Sequence, residues 1–134
     1  MSYVSGSHLK EVIFALSRNE KRKLLEKLGD SAGLLHKRNI VHGDLTTKNI
    51  LVLDKKLFLI DFGLSFYSER LEDKAEDLHL LKQSLFASLG KSEATSCFRY
   101  VLNGYKKVIS EDSSRLVTRQ ISRIELRGRY AKID

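Results

Sequence analysis

The feature that most constrains how this chain can fold is a pair of polar loops set around two short apolar runs. The first loop is His42-Gly43-Asp44-Leu45-Thr46-Thr47-Lys48-Asn49, and the second opens with Asp61-Phe62-Gly63. Between them, Ile50-Leu51-Val52-Leu53 and Leu57-Phe58-Leu59-Ile60 have strand length and composition and are joined by Asp54-Lys55-Lys56 at hairpin spacing. Ile40-Val41 is a third short β-branched run ahead of the first loop. Functional groups concentrate on loops braced by rigid elements, so chemistry is to be sought here.

The rest of the chain reads as helix. Leu9, Val12, Ile13 and Leu16 recur at helical spacing behind a Ser7 cap. A second helix runs from about Asn19 to Lys37, with Leu24, Leu25, Leu28, Ala32 and Leu35 on one face. A third is predicted from about Asp73 to Leu89, striped by Leu78, Leu81, Leu85 and Leu89 and stopped by Gly90. Ser92 caps a fourth reaching about Ile109 and weakened at Gly104, and Ser113 or Ser114 caps a fifth ending near Arg127. The expected fold class is α+β and mainly helical, one domain ordered as helix, helix, small hairpin, three helices.

Composition removes several alternatives. With no proline and no internal repeat, linkers and solenoids are unlikely readings. The longest apolar runs are a few residues, far below the roughly 20 that cross a bilayer, so the expectation is a soluble chain without a membrane partner. Met1-Ser2-Tyr3-Val4-Ser5-Gly6 has the character of neither a secretory signal nor a transit peptide. Cys97 is alone, which excludes an internal disulfide and a cysteine metal site and points to a reducing compartment, cytoplasmic by default. A formal charge of +7 favours an anionic partner, nucleic acid or nucleotide phosphate.

Phosphoryl transfer needs a carboxylate to orient the acceptor, and a carboxylate plus a second oxygen ligand to hold Mg2+ against the phosphates. Asp44 and Asn49 stand in D-x-x-x-x-N spacing, which lets one loop aim a base at the acceptor and an amide oxygen at the metal. Asp61 supplies the second metal ligand at the end of a strand, and Gly63 the backbone freedom to turn it inward. Each motif alone is weak; the ordered pair around a hairpin is strong. Asp44 as a turn residue and Asn49 as a cap is the blander alternative. His42 reads as a brace for the loop backbone, and Leu51 and Ile60 as strand core.

With these motifs in place, the chain resembles the atypical small kinase subunit of the KEOPS (EKC) complex, the PRPK family, whose complex assists threonylcarbamoylation of tRNA. The resemblance rests on the run from Ile40 to Ile50, on Leu59 to Ser65, on Glu72 to Leu78 and on Arg127-Gly128-Arg129-Tyr130, and it covers nearly the whole chain. It implies the C-terminal lobe of a protein-kinase-like fold over residues 1–134, with 1–6 as a hinge-like segment and 114–134 as a basic helix and tail. It implies ATP with Mg2+ or Mn2+, Asp44 as catalytic base and Asn49 and Asp61 on the metal. Met1, Tyr3, Leu51 and Ile60 would lie about the adenine, and Asp77 would hold the catalytic loop from behind. Lys48 either touches phosphate or is a solvated loop lysine. The implied partners are the threonylcarbamoyl-transferring subunit, other KEOPS subunits and tRNA, in cytoplasm or nucleus.

Two departures from ordinary kinases fit this family: Gly43 replaces the usual arginine and Thr46 the usual lysine. Regulation by a phosphorylated activation loop is not expected, because only about ten residues separate Gly63 from the next helix. Aminoglycoside and choline phosphotransferases share the H-G-D-x-x-x-x-N pattern, but Thr46-Thr47 and the arginine-glycine-arginine tail argue against them. A glycine-rich phosphate loop and a V-A-I-K-type strand are missing upstream of His42, so the expectation is an absent N-lobe and negligible turnover by the chain alone. An exposed lobe interface would invite a partner or a homodimer. The alternative function is a non-catalytic scaffold that keeps these residues idle. Finally, Arg115, Arg119, Arg123 and Arg127, extended by Arg129 and Lys132, form a cationic ridge opposite Val117, Ile121 and Ile124. RNA contact and a solvated helix face both account for it.

Overall fold

The computed structural model describes residues 6–131. Met1, Tyr3 and Lys132 lie outside these residues. Among the described residues, five α-helices and two small antiparallel sheets pack around one core. Strand β1 (Ser7–His8) leads into a single turn, α1 (Leu9–Val12), and a 3₁₀ turn (Ile13–Ala15). The long α2 (Arg18–Lys37) follows, then β2 (Ile40–Val41), a 3₁₀ turn (Thr47–Asn49), β3 (Ile50–Leu53), β4 (Lys56–Leu59) and β5 (Phe66–Tyr67). Helices α3 (Leu71–Leu89), α4 (Lys91–Ile109) and α5 (Glu111–Ala131) complete the chain.

The expected first helix is a correction. Ser7 pairs with Val52 and His8 with Leu51, so β1 adds a third strand to the β3–β4 hairpin and leaves one α-turn after it. Leu9 and Ile13 are fully buried all the same, because a helical turn and the following 3₁₀ turn still place both on the core side. In the hairpin, Leu53 pairs with Lys56, leaving a two-residue turn rather than three. Asp54 and Lys55 both take positive φ, +51° and +61°, the geometry that matches the right-handed twist of the strands. Strand β5, which the apolar pattern does not mark, pairs antiparallel with β2.

Helix α2 starts in a full capping box. Ser17 Oγ accepts the Glu20 amide at 3.1 Å and the Glu20 carboxylate accepts the Ser17 amide at 2.9 Å. These bonds, with Lys55 Nζ at 2.9 Å from the carboxylate, hold the Glu20 carboxyl down at about 2. Helix α3 begins at Leu71, where Ser68 Oγ takes the Arg70 amide and donates to Asp73. The expected caps Ser92, Ser113 and Ser114 all fall inside helices. Gly90 serves both α3 and α4, and Ser110 Oγ accepts the Ser113 amide at the start of α5.

The core is helical, and its centre is the crossing of α2 over α4. A Cβ on Gly29 would lie 1.8 Å from the Val101 carbonyl oxygen, and one on Gly104 would lie 1.9 Å from the Glu26 carbonyl oxygen. Gly104 is therefore the contact that lets two backbones meet, where sequence alone reads it as a weakness in a helix. The α3 stripe of Leu78, Leu81, Leu85 and Leu89 is buried in the same core, where α3 packs on α4 and α5.

Candidate active site

Strand β2 delivers the first loop, and α3 holds it from behind. The Asp77 carboxylate, 3% exposed, accepts the His42 amide at 2.9 Å and the Gly43 amide at 3.1 Å, and lies 2.8 Å from His36 Nε2. His36 Nδ1 in turn lies 2.6 Å from the Tyr105 hydroxyl. Burial, then the Asp77 charge, pushes the Tyr105 hydroxyl pKa well above its ordinary 10. This relay of His36, Asp77 and Tyr105 joins α2, α3 and α4 beneath the loop. Of these three, the family resemblance names only Asp77. The overlooked signal is a polar residue on an apolar stripe: His36 is fully covered on the face where Leu35, read as core, is only half-buried.

His42 is itself buried. Its Nδ1 accepts the Asp44 amide at 3.1 Å, so Nε2 carries the proton that it donates to the Ile60 carbonyl at 2.9 Å. One ring thus ties the first loop to the strand end that precedes Asp61. Phe62 packs against the same ring with centroids 4.6 Å apart. Gly43 is forced. Its φ is +89°, and a Cβ there would lie 2.1 Å from the Leu64 carbonyl oxygen, so no larger residue fits between the two loops.

Asn49 is 4% exposed, and its amide nitrogen donates to the Asp44 carbonyl at 2.7 Å and to the Asp44 carboxylate at 3.0 Å. That fixes the amide orientation and leaves Asn49 Oδ1 as an acceptor with no hydrogen bond among the described residues. Thr47 anchors the loop to α3, its amide donating to Ser84 Oγ at 2.8 Å and its hydroxyl 3.0 Å from Ser88 Oγ. The two serines, one helical turn apart, are missed by pattern reading because each looks like an ordinary surface residue.

Asp61 is exposed, with φ of +58°. The turn that presents it is therefore strained at the aspartate itself, and Gly63, expected to supply the freedom, is not in the left-handed region. Leu51 and Ile60 are half-buried, with Leu51 paired to Phe58 and His8 in the three-stranded sheet. Lys48 is exposed on the 3₁₀ turn. The donor set fits a hard divalent ion. Asp61 and Asn49 carry oxygen donors of the kind Mg2+ takes, one or two from protein with phosphate and water completing its shell. Among the described residues no group of three or more His, Cys, Asp or Glu is placed to hold a metal ion.

The arginine ridge divides. Val117 and Ile121 are buried and Ile124 half-buried on the inner face of α5. Arg127 is held by Glu72 at 2.7 Å and Arg115 by Asp112, while Arg119 and Arg123 are exposed without an ion pair among the described residues. Arg129 is also exposed.

The protein kinase domain model matches residues 1–88. The chain is 40% identical over 130 residues to the KEOPS complex subunit Bud32 of Pyrococcus abyssi, covering 97% of this chain and 59% of that protein. It is 32% identical over 136 residues to the EKC/KEOPS complex subunit bud32 of Dictyostelium discoideum, covering 96% and 52%. A probable bifunctional tRNA threonylcarbamoyladenosine biosynthesis protein of Methanothermobacter thermautotrophicus is 38% identical over 130 residues, which is 97% of this chain and 22% of the relative.

Proposed function

Because the chain belongs to the protein kinase domain family, and KEOPS subunits named Bud32 are among its relatives, we propose that it carries the catalytic and metal loops of an ATP-dependent phosphotransferase or ATPase supporting tRNA threonylcarbamoylation. In this reading Asp44 orients an acceptor hydroxyl or a water, and Asn49 and Asp61 hold Mg2+. The bound metal would neutralise charge on the phosphates. Leu51 and Ile60 offer an apolar floor to the adenine, and Lys48 a charge near the phosphates. The observation that carries the reading is the Asn49 amide. Both its protons are spent on Asp44, which steadies the base and leaves the amide oxygen facing no donor.

The glycine-rich loop and strand lysine of a complete kinase are not among these 134 residues. Phosphate positioning within them rests on the metal, and turnover by this chain alone should be negligible. The direct test is thermal denaturation with ATP and Mg2+ against an Asp61→Ala variant. A rise in Tm for the parent chain that the variant loses is expected, and an equal rise in both refutes the metal assignment.

A second reading, a scaffold that docks the threonylcarbamoyl-transferring subunit or a second copy of the chain, is favoured by exposed apolar side chains near the loops. Phe62 and Leu64 are 42% and 65% exposed, and Phe66 and Tyr67 on β5 are also open. It predicts complex assembly that survives Asp44→Asn. For tRNA, Arg119 and Arg123 have no ion pair among the described residues, and glutamate at both should weaken binding at low salt and flatten its salt dependence by a slope of about 2. No helix among the described residues is long and apolar enough to cross a membrane. Cytoplasm or nucleus is the proposed location.

A further inference from the structure

Behind the catalytic loop, α2, α3, α4 and α5 leave a cavity of about 300 Å³ between their ends. This is the lower end of the range for small-molecule sites. Its floor is His36 and Tyr105, both at most 1% exposed, and its apolar wall includes Ile109, Leu116 and Val117. Lys37 and Lys74 stand on the lining with Glu69 as the single carboxylate, so the formal balance is one positive charge. Lys74 Nζ spends one donor on Asn39 Oδ1 at 2.7 Å, and an ammonium has three. Lys37 has no ion pair among the described residues.

We propose that this cavity binds a small amphiphilic monoanion, a carboxylate on a short apolar body, with Lys37 and Lys74 taking the carboxylate and Val117, Ile109 and Leu116 the body. The apolar wall alone would take a neutral molecule equally well; the two lysines on the lining select the charge. Glu69 disfavours a dianion by like-charge repulsion. The floor gives the site a consequence. Beneath that floor the Tyr105 hydroxyl bonds His36, His36 bonds Asp77, and Asp77 bonds the His42 and Gly43 amides, so a ligand that displaces the Tyr105 side chain disturbs the first loop through a continuous hydrogen-bonded chain. The binding claim is independent of whether the loop transfers phosphate.

The test is a titration of the full chain with octanoate, followed by amide NMR and calorimetry. Expected are saturable shifts at Lys74, Leu116 and Val117, with smaller ones at His42 and Gly43. Lys37→Gln with Lys74→Gln should weaken binding at least tenfold. Val117→Phe, which fills the cavity, should abolish it. Should that variant fail to fold, Leu116→Glu, at a half-exposed rim position, places a repelling charge at the mouth and should weaken binding as the lysine pair does. Absence of saturable shifts overturns the proposal. So does equal affinity for octanol, which removes the role of the charge, or undiminished binding in the lysine and Leu116 variants, which places the probe elsewhere.

Discussion

The rear of the molecule and its front obey different rules. At the rear, α2 and α4 approach until backbone meets backbone, and Gly29 and Gly104 each fit because the opposing carbonyl leaves no room for one carbon. At the front, the loops between β2 and β5 hold Gly43 at φ +89° and Asp61 at φ +58°, with Phe62, Leu64 and Phe66 open to solvent. The crossing at the rear has one solution, and the strained backbone of that region lies outside it, at Ser110 between α4 and α5 with φ +95°. The front keeps strained backbone and uncovered apolar surface in a shape that packing alone would not select. Such strain persists only where surroundings over-determine it, and the surroundings here are the Asp77 carboxylate and the His42 ring.

The largest expected effect tests the rear. Gly104→Ala should cost about 3 kcal/mol, since the clash is with backbone that cannot rotate away; urea unfolding measures it, and a loss below about 1 kcal/mol would mean the crossing is looser than described. Asp77→Ala attacks the seam between the regions. Three donors, the His42 and Gly43 amides and His36 Nε2, lose their acceptor, and buried donors left unsatisfied should together cost about 3 kcal/mol. Hydrogen exchange at His42 and Gly43 should rise more than global unfolding accounts for.

The front should answer with the opposite sign. Asp61→Gly removes a side chain from the left-handed region and should stabilise the fold by about 1 kcal/mol while abolishing the ATP and Mg2+ shift in Tm. If stability falls instead, Asp61 is part of the structure and the contrast fails. Alkali separates the regions more gently. Burial and the Glu93 charge push the Cys97 thiol from 9.0 to about 12, and burial raises Tyr105 too. Above pH 9 the unfolded chain releases protons that the folded chain keeps, so stability should fall as pH rises, and Tyr105→Phe should flatten the part above pH 10. The smallest effect is at acid pH. Glu20 sits at about 2 against an ordinary 4.5, so its support for the start of α2 is present above 4.5 and fades towards 2. Helix content near Ser17 should fray over that window, and Glu20→Gln should remove the dependence.

The same contrast governs what the sequence discloses. Leu78, Leu81, Leu85 and Leu89 announce α3 because burial of one helix face leaves a period of 3.6. D-x-x-x-x-N and Asp61-Phe62-Gly63 are legible because the chemistry proposed for them needs particular residue types. Strands β1 and β5 are two residues each, created by pairing to Val52, Leu51, Ile40 and Val41 far along the chain, and no local pattern records that. Gly104 misleads for a related reason, since propensity describes an isolated helix and the close approach belongs to two. His36, which bonds Asp77, and Tyr105, which bonds His36, are hidden as polar residues on apolar stripes.

The glycine contacts also act as an index mark. Sliding α2 past α4 by one residue, a rise of about 1.5 Å, would bring a side chain against a carbonyl on both sides of the crossing. Helix α2 ends two residues before the strand that feeds the catalytic loop, so the crossing sets where Asp44 stands along that axis. A misplacement of about 1 Å can cost 10²-fold in rate. Two positions without side chains, remote from the reacting groups, thus calibrate the reach of the one carboxylate that would meet them.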